Sequence, residues 1–212
     1  MRNHGSGAGI QEVDPTFNAA RVGLYPGPIV GSYAVSARTG NITLIAAGGA
    51  LFTARWTSAT HYALIRRVYA KWVMTTAFAA NQEIGLEWIF GRSWSVSPSA
   101  GTAISTAGAF QAKRSSFPTS KFATGDMRIA TAAAVTVGTV TPDGQALYSR
   151  NGFSNLTPHL EMERDWISNH FPLVLAQNDG ILLRNTILMG AAGIAGVHIG
   201  IEWDEVLIAD YP

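Results

Sequence analysis

Strict alternation of apolar and polar side chains along short segments constrains this chain more than any other feature of its sequence. The clearest case lies near the end, where Val197, Ile199, Ile201 and Trp203 alternate with polar or small residues, and residues 83–90 alternate in the same way. Side chains with a period of two lie on opposite faces of a β-strand. One apolar and one polar face is typical of an antiparallel sheet, and the pattern therefore predicts that architecture.

The remaining segments extend this pattern to the whole fold. Further β-type runs occupy residues 51–56, 63–74, 127–132 and 171–188, and the last of these reads as a hairpin around Asn178-Asp179-Gly180. About eight to ten strands are expected, with no helix long enough to connect parallel strands. The sequence thus predicts an all-β fold, an antiparallel jelly-roll-like β-sandwich. Its predicted core includes three tryptophans on strand faces: Trp72, Trp88 and Trp203.

Glycine and proline divide the chain into two parts. Residues 1–40 are rich in both, which opposes helix and central strands, yet they carry many apolar side chains. An extended N-terminal arm that orders on another surface fits both facts, and an irregular segment packed on its own domain fits them equally. Residues 41–212 are predicted to form a single β-sandwich domain with long loops at about 92–126 and 150–170. Part of the second loop, residues 160–167, is compatible with a short helix.

Composition bears on the partners of this chain. Charged residues make up 14% of the sequence, against about a quarter in typical soluble domains. Such a surface favours contact with other protein, including copies of the same chain. The net charge of +1 gives no electrostatic basis for binding nucleic acid. The sequence has no cysteine, no signal-peptide pattern and no membrane-spanning apolar run, so we expect neither disulfides nor a membrane partner.

Two groups of ionisable residues were considered as chemical sites. His198, Glu202 and Asp204 share one face of the last strand. At about 3.3 Å per residue, His198 and Glu202 lie about 13 Å apart, too far to bind one ion. The densest group could serve acid–base chemistry or calcium, but it lacks the calcium-loop pattern and is predicted to be a solvated loop. Its members are His159, Glu161, Glu163, Asp165 and His170.

No catalytic, cofactor-binding or metal-binding residue is therefore predicted, and we expect the protein not to be an enzyme. Three aromatic residues in predicted loops, Trp94, Phe153 and Trp166, leave carbohydrate binding as an alternative. Each of these rings has a structural interpretation as well, as an anchor that holds its own loop against the sheet.

Several segments resemble a group of virion proteins of tailed bacteriophages. The resemblance is carried by the run from Phe171 to Arg184 and by Ile199-Gly-Ile-Glu-Trp-Asp-Glu-Val. Similar segments occur earlier, at residues 52–60, 64–68 and 125–130. The resemblance covers roughly residues 45–206 and does not include the arm. It lies in strands and turns, and no functional residue can be transferred through it.

This resemblance implies a phage structural protein, most plausibly a jelly-roll decoration (cement) protein. Its partners would be the major capsid protein and other copies of the same chain, with a trimer favoured. It would be made in the bacterial cytoplasm and reside on the capsid surface of the virion. The alternative is a tail or head-fibre protein that recognises host glycans.

Overall fold

The computed structural model describes residues 12–13, 20–21, 29–105, 112–114, 116–154, 159–166 and 172–211. In this part of the chain there is no α-helix, and a 3-10 turn at Ile208–Asp210 follows the last strand. The strands are β1 (Glu12–Val13), β2 (Ala20–Arg21), β3 (Ile29–Arg38), β4 (Ala50–Arg55), β5 (His61–Thr76), β6 (Glu83–Arg92), β7 (Thr102–Ala103), β8 (Met127–Ile129), β9 (Thr141–Pro142), β10 (Tyr148–Phe153), β11 (His159–Asp165), β12 (Leu173–Leu175), β13 (Gly180–Asn185) and β14 (Ile194–Leu207).

Two antiparallel sheets pack face to face, which confirms the predicted all-β sandwich. Among the described residues, the first sheet has the order β10-β6-β13-β4-β8-β7, with β9 paired to β6. We call it the covered sheet, because loops lie on its outer face. The second sheet has the order β11-β5-β14-β3, with β12 also paired to β5. We call it the charged sheet, after the side chains on its outer face. The short strands β1 and β2 pair with each other.

The core lies between the two sheets. Trp72 and Trp203 enter it from the charged sheet, and Trp88 and Phe52 enter it from the covered sheet. All four side chains are buried, and Phe52 meets Trp88 edge-on at 5.8 Å between ring centroids. The three tryptophans predicted to fill the core therefore do so. Alternation explains this outcome, because each of them occupies the apolar face of its strand.

A second, smaller core explains why the covered sheet has no wet face over part of its width. Ile89 and Leu182 point outward from this sheet, and Trp94 packs against them beneath Val137 and Val140. The indole Nε1 of Trp94 donates a hydrogen bond of 2.6 Å to the carbonyl oxygen of Val137. The loop between β8 and β9 is thus fixed on the sheet by both apolar and polar contacts.

The structure corrects the sequence-based prediction for three segments. Residues 29–38 of the predicted arm form strand β3, which pairs with β14 from Ile29 to Arg38, so this part belongs to the domain. Most of residues 1–28 lies outside the described residues. The predicted loop at 150–170 contains two strands, β10 and β11. Its proposed helix at 160–167 is wrong, because Leu160 and Met162 alternate with charged residues and bury against the core.

The predicted hairpin around residues 178–180 is also wrong. Strand β12 pairs with β5 in the charged sheet, whereas β13 pairs with β4 and β6 in the covered sheet. The turn therefore carries the chain from one sheet to the other. Of the long loop predicted at about 92–126, the described part contains one short strand, β7, and Ala112 forms a bridge to Tyr33.

Candidate functional site

The outer face of the charged sheet brings together the two ionisable groups that the sequence singled out. Strand β11 pairs with β5, and β14 pairs with the other side of β5, so their outward side chains form adjacent rows. The residues on this face include His159, Glu161, Glu163, Asp165, His198, Glu202 and Asp204. His170 lies outside the described residues. The predicted solvated loop is thus a strand whose polar face is wet.

Basic side chains already form ion pairs with carboxylates of this face. Arg67 Nε lies 2.7 Å from Glu163, and the same guanidinium lies 3.5 Å from Glu202. Glu161 forms an ion pair with Lys71, and the hydrogen bond from Lys71 lowers the pKa of the Glu161 carboxyl. No group of three or more metal-ligating side chains is close enough to hold a metal ion in the described part of the chain. The arrangement is an ion-pair network across three strands.

Asp204 was predicted to lie on this wet face, but it is buried. Its carboxylate lies 2.8 Å from Nε of Arg66 and accepts a hydrogen bond from the hydroxyl of Ser32. A bulge between Glu202 and Trp203 changes the register between β14 and β5 just before this position. Asp204 therefore joins three strands of the charged sheet at one end of the sandwich.

Glu205 is the ionisable residue that sequence reasoning missed. It has the same parity as Trp203, so it points into the sandwich, and its exposed fraction is 0%. Its Oε1 accepts hydrogen bonds from Ser120 Oγ at 2.7 Å, from Lys121 N at 2.9 Å and from Trp203 Nε1 at 3.1 Å. Burial raises the pKa of the Glu205 carboxyl. The inward parity of position 205 was the signal that could have identified it.

The surroundings of Glu205 are aromatic. Tyr33 stacks on Trp203 at 5.4 Å, and Phe122 meets both Trp203 and Trp56 edge-on. Burial and the charge of Glu205 raise the pKa of Tyr33 to about 12. Because Ser120, Lys121 and Phe122 all come from the loop before β8, this carboxylate fixes that loop against the end of the sandwich. The cluster therefore has a structural role, and the carboxyl group of Glu205 lies at its centre.

The three aromatic residues proposed for carbohydrate binding have different environments. Trp94 is fully buried in the second core, so it has no surface to offer a sugar. Trp166 is partly buried and packs against the main core. Phe153, at the end of β10, is 49% exposed. The three rings do not form one site, because only Phe153 presents an open face.

Two other exposed apolar residues lie at the same end of the sandwich as Phe153. Leu44 and Leu188 have exposed fractions of 58% and 59% and lie on loops at the end of the sandwich where β4 and β6 begin. We define the apex patch as Leu44, Phe153 and Leu188. Exposed large apolar side chains at one end of a domain make that end a candidate for contact with another protein.

Hydrogen bonds tie the loops of the apex patch into one unit. Gln82 lies between them, and its side-chain oxygen accepts a bond of 2.9 Å from the N–H of Gly190. The N–H of Ser154 donates to the carbonyl of Gln82 at 2.9 Å, and Gln82 N donates back to Ser154 Oγ. Met189 N donates to the carbonyl of Ile45 at 3.0 Å. A preordered surface of this kind loses little conformational entropy on binding.

The backbone of Leu44 adds a second observation about the apex patch. Its φ angle is +53°, in the left-handed region that a leucine side chain rarely adopts. Such a conformation costs on the order of 1 kcal/mol and persists where the surrounding structure imposes it. Here the strained residue also has a mostly exposed side chain.

A scan of protein-family models found no match to this chain, and searches of curated proteins and of solved structures found none either. No helix in the described part of the chain is long and apolar enough to cross a membrane.

Proposed function

We propose that this protein is a structural component of a bacteriophage virion, a decoration protein that stabilises the head by bridging major capsid subunits. The apex patch carries this proposal. Phe153 ends β10, the two leucines lie on loops that hydrogen bonds connect to each other and to Gln82, and Leu44 occupies a strained backbone conformation. A rigid apolar surface on a sandwich is suited to permanent contact with a protein lattice.

The order of the strands supports a jelly-roll assignment for the sandwich. The first four long strands pair with later strands in reverse chain order: β3 with β14, β4 with β13, β5 with β11 and β12, and β6 with β10. One long hairpin wrapped into two sheets gives this order, and that wrapping is the jelly-roll arrangement. Viral capsid proteins use the same architecture, which makes the assignment compatible with a virion role. The fold alone does not establish that role.

The resemblance of residues 45–206 to tailed-phage virion proteins is the second support. Under this proposal the partners are the major capsid protein and other copies of this chain. We propose a closed trimer, in which three identical contacts would attach one assembly to the lattice.

The proposal is tested by co-sedimentation with heads of the source phage that lack this protein. The double variant Leu44→Ser/Leu188→Ser removes both leucines of the apex patch. Because a single hot-spot residue contributes about 2 kcal/mol or more, the loss of one hot spot among the two already predicts an affinity at least about thirtyfold weaker. Both side chains are mostly exposed, so the melting temperature is expected to stay close to that of the natural protein.

Val96→Ser supplies the matched control. Val96 is 51% exposed and lies at the opposite end of the sandwich, beyond the end of β6. Its loss should leave binding to heads unchanged. Full binding by the double variant would refute the role of the apex patch, and an equal loss in Val96→Ser would show that the effect is not specific to it.

A further inference from the structure

A shallow groove of about 430 Å³ crosses the outer face of the charged sheet. Small residues form its floor: Ala34 and Ser36 on β3, and Gly200 on β14. Tyr69 lines it from β5, and the charged heads of Arg67 and Glu202 are adjacent. The volume lies within the range of about 300–1,000 Å³ that small-molecule sites occupy. The groove lies on a sheet face, away from the apex patch at the end of the sandwich.

The charges around the groove are balanced in pairs. Arg67 contacts both Glu163 and Glu202, and Glu202 also receives the ammonium group of Lys113. An ion that entered this groove would therefore be repelled by one charged group beside each group that attracts it. The same pairing fixes the orientation of the polar heads, which lowers the entropy lost when they hydrogen-bond to a ligand. A neutral ligand with many hydroxyl groups suits such a surface.

The aromatic ring supplies the remaining feature. Tyr69 is half-buried, and burial raises the pKa of its phenol, so the ring carries a neutral hydroxyl at physiological pH. Directly across the strand pair, Gly200 has no side chain, and a Cβ placed there would meet Tyr69 no closer than 3.8 Å. Residue 200 therefore leaves the adjacent side of the ring uncovered. A flat ring beside fixed donors and acceptors accommodates the apolar C–H face of a sugar while its hydroxyls bond to the polar heads.

We propose that this groove binds a neutral saccharide. Tyr69 contacts the ring of the sugar, and Arg67, Glu202 and the hydroxyl of Ser36 bond to its hydroxyl groups. This inference goes beyond the capsid role, since the groove and the apex patch are separate surfaces and one protein can use both. It also assigns carbohydrate recognition to residues other than Trp94 and Trp166, because those two side chains pack in the cores.

Gly200→Thr is the decisive variant. Because a Cβ at position 200 lies at ordinary contact distance from its neighbours, we expect the strand to accept a threonine whose side chain occupies the groove, and an unchanged melting temperature checks this. Gly144→Thr is the control, since position 144 has no atom within 4 Å of a Cβ and lies in the turn between β9 and β10. Tyr69→Leu keeps an apolar side chain and removes the ring.

Binding is measured by saturation-transfer NMR and calorimetry with millimolar glucose, galactose, mannose, N-acetylglucosamine and their disaccharides. Glucuronate and glucosamine serve as charged counterparts. We expect a neutral sugar to bind, and Gly200→Thr and Tyr69→Leu each to weaken it at least about tenfold, with Gly144→Thr unchanged. Absence of binding by every neutral sugar, undiminished binding by Gly200→Thr, or stronger binding of the charged sugars would overturn the proposal. Loss of head binding leaves these results unaffected, so the two proposals fail independently.

Discussion

Removal of the buried acid at position 205 is expected to separate its hydrogen-bonding role from its charge. Glu205→Ala leaves three donors without their acceptor: Ser120 Oγ, Lys121 N and Trp203 Nε1, at 2.7, 2.9 and 3.1 Å. Each unsatisfied buried donor costs about 1–3 kcal/mol, and the release of a buried carboxylate offsets part of the sum. We expect a net loss of about 3 kcal/mol, which lowers the melting temperature by about 6–12 °C in a chain of this size.

Glu205→Gln is the matched variant. Its amide oxygen keeps the acceptor that all three donors use, while the charge is removed. The expected loss at neutral pH is about 1 kcal/mol or less. Urea unfolding followed by tryptophan fluorescence measures both values. Equal losses in the alanine and glutamine variants, or a loss below about 1 kcal/mol in the alanine variant, would refute the assignment of Glu205 as the acceptor that holds this loop.

The same pair of proteins gives a pH test whose sign follows from the structure. Burial raises the pKa of Glu205 above its ordinary value of 4.5, so the folded state holds its proton to a higher pH than the unfolded state does. The stability contributed by Glu205 is therefore complete below pH 4.5 and is lost as the pH rises through the raised pKa. The free energy of unfolding of the natural protein, minus that of Glu205→Gln, should fall over this window.

One nearby group titrates in the opposite sense. Burial and the charge of Lys121 lower the pKa of His61, so its contribution to stability increases with pH below about 6.5. His61 is present in both proteins, and the difference between them removes its effect. A difference that stays flat from pH 4.5 to 8 would contradict a raised pKa at Glu205.

Two further predictions concern packing. Trp94→Ala should cost about 3–5 kcal/mol, because it empties the second core and leaves the carbonyl of Val137 without its donor; chemical unfolding measures it, and a cost below about 1 kcal/mol would show that Trp94 is not a core residue. Gly193→Ala should cost about 1–3 kcal/mol, since a Cβ there would lie 1.9 Å from the ring of Phe78, whereas Gly200→Ala should stay within about 0.5 kcal/mol. Equal melting temperatures for the two glycine variants would argue against the tight contact at position 193.

Local alternation predicted the parts of the fold that depend on one strand at a time. The inward faces of β6 and β14 follow from period two alone, and the buried Trp88 and Trp203 confirm them. The same signal was present in β11, where Leu160 and Met162 alternate with charged residues. It was outweighed by the polar composition of the segment, which is why a loop or helix was predicted there.

Long-range contacts account for the features that the sequence did not predict. Gly31 argued against a strand, yet it lies in β3 where the ring of Tyr33 occupies the space of a Cβ, with the hydroxyl 2.1 Å from that position. Trp94 follows a strand in a predicted loop, and the sequence left open whether its ring is exposed or anchors that loop against the sheet. It is buried because Val137 returns to cover it from 43 positions later in the chain. Such coverage depends on the tertiary fold and leaves no local signal.

The same distinction applies to the candidate sites. Glu202 could be placed on the polar face of the last strand, but Arg67, the partner that it shares with Glu163, emerges only when β11, β5 and β14 lie side by side. The apex patch joins Leu44 and Leu188, which are far apart in the chain. Its strained backbone at Leu44 has no counterpart in residue type or spacing.

Cryo-electron microscopy of the virions to which the proposal assigns this chain tests the central claim most directly. The account predicts one sandwich-shaped density at regular positions on the head, with Leu44 and Leu188 of the apex patch against the major capsid protein. Quantitative mass spectrometry of the same particles should give a copy number in fixed ratio to that protein. Particles that lack this chain, or heads that contact it through the outer face of the charged sheet, would contradict the account.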